Sequence, residues 1–128
     1  MASGVTVYAR AYQGFAGKLE LARAFPEQRL LFYEDGLSAT VSVHRAGGNV
    51  FLRINGKTDA STGADMHTQI ILGHIPLLLH PNPQKVLIIG LGSGVTAGAV
   101  AQYPVERIDV VEIEPAVIKA ARFFVKEN

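Results

Sequence analysis

Val86-Leu87-Ile88-Ile89-Gly90-Leu91-Gly92-Ser93-Gly94 is an unbroken apolar run closed by a glycine-rich turn, and it decides the fold. A run with no polar alternation fits a strand buried on both faces, the environment of a parallel sheet flanked by helices. Downstream, Val95–Gln102 reads as a short helix and Ile108-Asp109-Val110-Val111-Glu112-Ile113 as a second strand. Pro115–Lys126 reads as a second helix opened by proline. The β-α-β-α order predicts an α/β protein carrying the first βαβα of a Rossmann-like parallel sheet. Two parallel strands do not make a whole sheet of that type, so the remaining strands are expected from a longer parent or from elsewhere.

Upstream of this stretch, His80-Pro81-Asn82-Pro83 is a rigid linker, because neither proline can continue a helix. Before it an apolar helical pattern starts at Asp65 or Met66 and runs to about Leu79. Asp65 is the expected N-cap, and Pro76 is expected to kink or end the helix. Earlier still, Leu30–Glu34 is followed by a turn at Asp35-Gly36 and by Ala39, Val41 and Val43 alternating with polar residues. Gly47-Gly48 then turns the chain into Val50–Ile54, and Asn55-Gly56 turns it again, which predicts a small antiparallel β-meander. The expected division is a lead-in over 1–29, the N-terminal β-meander over 30–63 and the start of the Rossmann-like domain over 64–128. One helical turn is expected near Leu19–Phe25, stopped by Pro26.

The 128 residues include 12 Lys and Arg against 11 Asp and Glu, so charge gives no reason to expect nucleic acid as a partner. With no Cys, disulfides, thiolate catalysis and cysteine-ligated zinc are excluded. The four His show no metal-binding spacing, and no metal is expected. His74, beside Pro76 on an apolar face, reads as a structural histidine. The longest greasy stretch, Ile70 to Leu79, is interrupted by Gly73, His74 and Pro76 and falls short of the ~20 residues a spanning helix needs. No signal peptide is legible, so the expected location is the cytoplasm.

Gly90, Gly92 and Gly94 lie where a strand ends and a helix begins, so backbone N–H groups are free and a nucleoside or pyrophosphate can approach closely. The spacing is Gly-x-Gly-x-Gly, which disfavours a dinucleotide-binding oxidoreductase, although Gly98 is a candidate for close helix packing. Ser93 lacks the flanking glycines of a hydrolase nucleophile elbow. Glu112 ends the second strand, where a carboxylate can accept hydrogen bonds from both hydroxyls of a ribose. Such an acid favours adenosine or NAD over NADP. The alternative for Glu112 is a solvated acid paired with Lys119. Glu114 is expected at the start of the next helix, near its positive dipole end.

The same residues carry a resemblance. Val86 to Gly94, followed by Val110-Val111-Glu112-Ile113-Glu114-Pro115-Ala116-Val117-Ile118, is similar to the nucleoside-binding core of the polyamine aminopropyltransferases, the spermidine and spermine synthases. Leu52-Arg53-Ile54-Asn55-Gly56-Lys57, Ala64-Asp65-Met66 and His74-Ile75-Pro76-Leu77 fall, without gaps, where that family has its Leu-Asp-Gly turn, Asp-Glu pair and His-x-Pro segment. The likeness covers about residues 30–128 and resembles most the bacterial forms that often follow membrane helices. It therefore allows a parent attached to the inner face of the membrane.

What the resemblance implies is transfer of an aminopropyl group from decarboxylated S-adenosylmethionine, a co-substrate rather than a tightly bound cofactor, to a polyamine. Gly90, Gly92, Ser93, Gly94, Glu112 and Asp59 fall on the donor side, and Thr68 and Gln69 on the amine side. Ser93 stands where the family has an Asp, Asp59 where it has a Gln, and Thr68-Gln69 where it has a Tyr-His pair. The family's catalytic Asp falls after Asn128, so these 128 residues are expected to be inactive alone. The alternatives are methyl transfer from intact S-adenosylmethionine and a non-catalytic nucleoside-binding or dimerisation module. A homo-oligomer is expected, as is common in the family.

Overall fold

In the computed structural model, which describes residues 28–128, two pairs of left-handed residues shape the first half of the chain. Gly47 and Gly48 have φ of 55° and 84°, and Asn55 and Gly56 have φ of 50° and 80°. Two consecutive residues with positive φ make the turn whose twist matches that of a hairpin, and glycine and asparagine tolerate that conformation best. Strands β1 (Arg29–Asp35), β2 (Thr40–Ala46), β3 (Asn49–Ile54) and β4 (Lys57–Ser61) accordingly form an antiparallel sheet in the order of the chain. Register puts Val43 opposite Leu52 and Val41 opposite Ile54, stacking the alternating apolar residues on one face.

That face is covered from the far end of the sequence. Helix α1 (Met66–Leu79), strand β5 (Lys85–Ile89), helix α2 (Val95–Val100), strand β6 (Arg107–Val111) and helix α3 (Pro115–Ala121) follow the meander. A 3₁₀ turn, Arg122–Phe124, closes the series. Ala116, Val117, Ala120 and Phe124 pack on Val41, Val43, Val50, Leu52 and Ala60 in one apolar cluster. The core is therefore shared by the meander and α3. Strands β5 and β6 pair in parallel, from Lys85 opposite Arg107 to Ile89 opposite Val111. The α/β architecture read from the sequence, a meander followed by the first βαβα of a Rossmann-like sheet, is the one observed. Alternate residues of β5 are half-buried at Val86 and Ile88, whereas Leu87 and Ile89 are 61% and 84% exposed.

Helix α1 runs to Leu79 as expected, and Pro76 lies inside it without ending it. Proline frees the carbonyl four residues back, that of Leu72, and Leu72 is exposed, so water can satisfy it. Helix α2 stops at Val100, short of Gln102, and the last helix gives way to 3₁₀ geometry at Arg122. The expected turn near Leu19–Phe25 lies outside the described residues. Close helix packing falls to Gly73, not Gly98. A Cβ on Gly73 would stand 2.7 Å from the Cβ of Ala99 and 2.9 Å from the carbonyl oxygen of Thr96, whereas Gly98 faces Asn128.

Candidate functional site

The glycine turn opens where β5 ends, and its first two glycines face free space. Gly90 and Gly92 have φ of 89° and 56°, and a Cβ on either would meet nothing within 4 Å. The backbone is therefore bare on the side a ligand would approach. Gly94 differs: its Cα faces the side chain of Asn128, whose nitrogen would lie 2.8 Å from a Cβ there. It serves as the left-handed N-cap of α2.

Glu112 follows β6 directly and links the glycine turn to the start of α3. Its Oε2 accepts the N–H of Leu91 at 2.8 Å and its Oε1 accepts the N–H of Glu114 at 3.0 Å. A carboxylate has about four acceptor positions, so each oxygen keeps one for a further donor such as a hydroxyl. Lys119 does not pair with it. The Lys119 ammonium lies instead 2.7 Å from Glu34 of the meander.

Ser93 is 3% exposed, and its hydroxyl donates to the side-chain carbonyl of Gln69 on α1. The Gln69 amide in turn donates to the Ser61 carbonyl at 2.9 Å and to Asp65 at 3.1 Å. The Asp65 carboxylate also accepts the N–H and hydroxyl of Ser61, so it does not cap α1 as expected, although it occupies the N-cap position. Thr96 ties α2 to α1 by donating to the Gln69 backbone carbonyl at 2.8 Å. Ser93 and Gln69 are thus in contact. Thr68 is exposed one residue before Gln69, and Asp59 is exposed on β4, 3.7 Å from Lys57. His74 is a satisfied histidine, its Nδ1 lying 2.9 Å from the Tyr103 hydroxyl.

Glu114 has the most partners of these residues. It is 3% exposed. Its carboxylate accepts N–H groups from Ser38 at 2.7 Å, Ala39 at 3.1 Å and Ala116 at 3.1 Å. The Ser38 N–H foremost, then those of Ala116, Ala39 and Leu37, hold its carboxyl below the usual carboxylate range, against the opposing effect of burial. The sequence places Glu114 at the start of α3, where it is found, but gives no sign that a loop 76 residues earlier closes on it. The faint signal is Gly36: a Cβ there would lie 2.1 Å from the Glu114 carboxylate.

A family model described as the spermine/spermidine synthase domain matches residues 66–128. A solved spermidine synthase in complex with the transition-state analogue AdoDATO superposes with a TM-score of 0.70 at 31% identity, covering 77% of this chain and 34% of that one. The chain is spermidine synthase-like.

A polyamine aminopropyltransferase of Thermotoga petrophila is 46% identical to the spermidine synthase-like chain over 59 residues, 45% of this chain and 20% of the relative. Putrescine N-methyltransferase 2 of Nicotiana tabacum is also 46% identical, over 63 residues, 48% of this chain and 18% of the relative. The shared segment is therefore common to relatives named for two different transfers. The spermidine synthase-like chain spans a third or less of the length of these relatives. Among its described residues no helix is long and apolar enough to cross a membrane.

Proposed function

We propose that the chain is the donor-binding part of an aminopropyltransferase that uses decarboxylated S-adenosylmethionine. The observation that carries this reading is Glu112, held at the end of β6 against the Leu91 N–H, beside the unobstructed Gly90 and Gly92. In this reading the free acceptor positions of Glu112 take the two ribose hydroxyls, and the bare turn takes the adenosine edge. Ser93 is assigned to the donor side, held in place by Gln69, and Thr68 and Gln69 lie toward the acceptor amine. Asp59, already neutralised in part by Lys57, is assigned an outer role on the donor side.

Chemically, an amine nitrogen of the acceptor attacks the aminopropyl carbon bonded to sulfonium. A C–N bond forms, the C–S bond breaks with its electron pair going to sulfur, and methylthioadenosine leaves. The attacking amine must lose a proton to a base, and none of these 128 residues is assigned that role. Binding contributes by alignment, since holding nucleophile and carbon in line turns an encounter into an intramolecular step.

A second reading, methyl transfer from intact S-adenosylmethionine, is favoured by the neutral Ser93–Gln69 pair. An acid at that place would repel the carboxylate of the intact donor, and a hydroxyl and amide do not. Calorimetric titration of the chain with each donor separates the two. Tighter binding of the decarboxylated form supports aminopropyl transfer, tighter binding of the intact form supports methyl transfer, and binding of neither overturns both.

A further inference from the structure

Beside the shared apolar core, two polar ties among the described residues join the meander to the α3 end of the chain, and they differ in where they lead. The outer one, Lys119 to Glu34, is exposed and ends in solvent. The inner one starts at the backbone of Ser38 and Ala39, enters the Glu114 carboxylate, leaves through the Glu114 N–H to Glu112 Oε1, and reaches the Leu91 N–H through Glu112 Oε2. It is a continuous run of hydrogen bonds from the β1–β2 loop to the glycine turn. From these contacts we infer that Glu114 is a positioning residue: by anchoring its own backbone to the 36–39 loop, it fixes the Glu112 carboxylate and the Leu91 amide for nucleoside binding.

Three observations support this assignment. A carboxylate that accepts several backbone N–H groups while nearly fully buried has little rotational freedom, so the backbone N–H two atoms beyond its Cβ is fixed with it. The carboxylate lies directly against the loop, where a Cβ at Gly36 would sit 2.1 to 2.5 Å from its atoms. Glu112, by contrast, is only half-buried and depends on its two N–H donors for orientation. The meander is in this way more than a lid on the core of α3: its first loop sets the acid that the proposed function assigns to the ribose.

The inference rests on that reading for its ligand but not for its relay, so the test reads both. Amide hydrogen exchange at Leu91, relative to the amides of β5 and β6, is measured by NMR in the unliganded chain. The Kd for 5′-methylthioadenosine is measured by calorimetry. Glu114→Gln is expected to speed relative exchange at Leu91 about tenfold and to raise Kd about fivefold, within the usual span of coupling between sites. Lys119→Ala, which cuts the outer tie, is expected to move neither. Gly36→Ala is expected to act like Glu114→Gln. If Glu114→Gln does not fold, Glu114→Asp replaces it, with the same direction expected. Faster exchange at Ser38 and Ala39 with Leu91 and Kd unchanged would reduce Glu114 to a structural clip and overturn the inference. If the native chain binds no nucleoside, the proposed function fails, while exchange at Leu91 still decides the relay.

Discussion

Replacing Gly73 by alanine puts two effects of opposite sign in competition, and the structure says which wins. Glycine inside a helix is about 1 kcal/mol worse than alanine, so helix propensity alone makes Gly73→Ala stabilising by about that amount. The added Cβ, however, would lie 2.7 Å from the Ala99 Cβ, 2.9 Å from the Thr96 carbonyl oxygen and 3.4 Å from the Val100 nitrogen. Two of these three atoms are helix backbone and cannot swing aside. Either the contact stays compressed, at about 1–3 kcal/mol for overpacking, or α1 and α2 move apart. Parting them strains the Thr96-to-Gln69 and Ser93-to-Gln69 bonds, worth about 0.5–1.5 kcal/mol each. Either route costs about 1–3 kcal/mol, so after the gain in helix propensity the net effect is a loss of up to about 2 kcal/mol. At about 4–8 °C per kcal/mol for a domain of this size, Tm should fall by up to about 15 °C. Urea unfolding followed by circular dichroism reads the change directly. Leu72→Ala, next to it on the exposed side, is the control and should change stability by less than about 0.5 kcal/mol. A Gly73→Ala chain more stable than the native one by about 1 kcal/mol, the full gain of helix propensity, would refute the close approach of the two helices.

Phe124 is fully buried in the shared core, and Phe124→Ala should lose about 3–5 kcal/mol, read as a large fall in the urea midpoint. Lys119→Ala removes an ion pair whose side chains are 53% and 32% exposed, and should cost less than about 1 kcal/mol, with the difference shrinking further in high salt. Because the folded-state pKa of Glu114 is depressed, its stabilising contribution is complete above the ordinary carboxylate range near ~4.3 and is lost as pH falls through the lower folded value. Urea midpoints between pH 6 and pH 3 should therefore fall less steeply in Glu114→Gln than in the native chain.

The elements were legible because each carries a local signal. Period-two alternation at Ala39, Val41 and Val43, paired turn residues at Gly47-Gly48 and Asn55-Gly56, and the apolar run before Gly90 all act within a few residues of where they are read. The glycine turn at Gly90 and Gly92 and the acid that follows β6, Glu112, were legible for the same reason. Contacts across long sequence distances were not. Nothing in Glu114 announces that Ser38 and Ala39 donate to it, and nothing in Asp65 that Ser61 draws its carboxylate away from the helix end. Gly73 and Gly98 look alike in sequence, and only packing shows which one a neighbouring helix presses on.

The measurement closest to the centre of the account is an NMR titration of the chain with 5′-methylthioadenosine, native and Glu112→Gln side by side. The account predicts saturable shifts at the amides of Gly90, Leu91, Gly92 and Glu112 in the native chain, and affinity weakened about tenfold or more when the ribose acid loses its charge. Shifts confined to other parts of the fold, or equal affinity in Glu112→Gln, would contradict it.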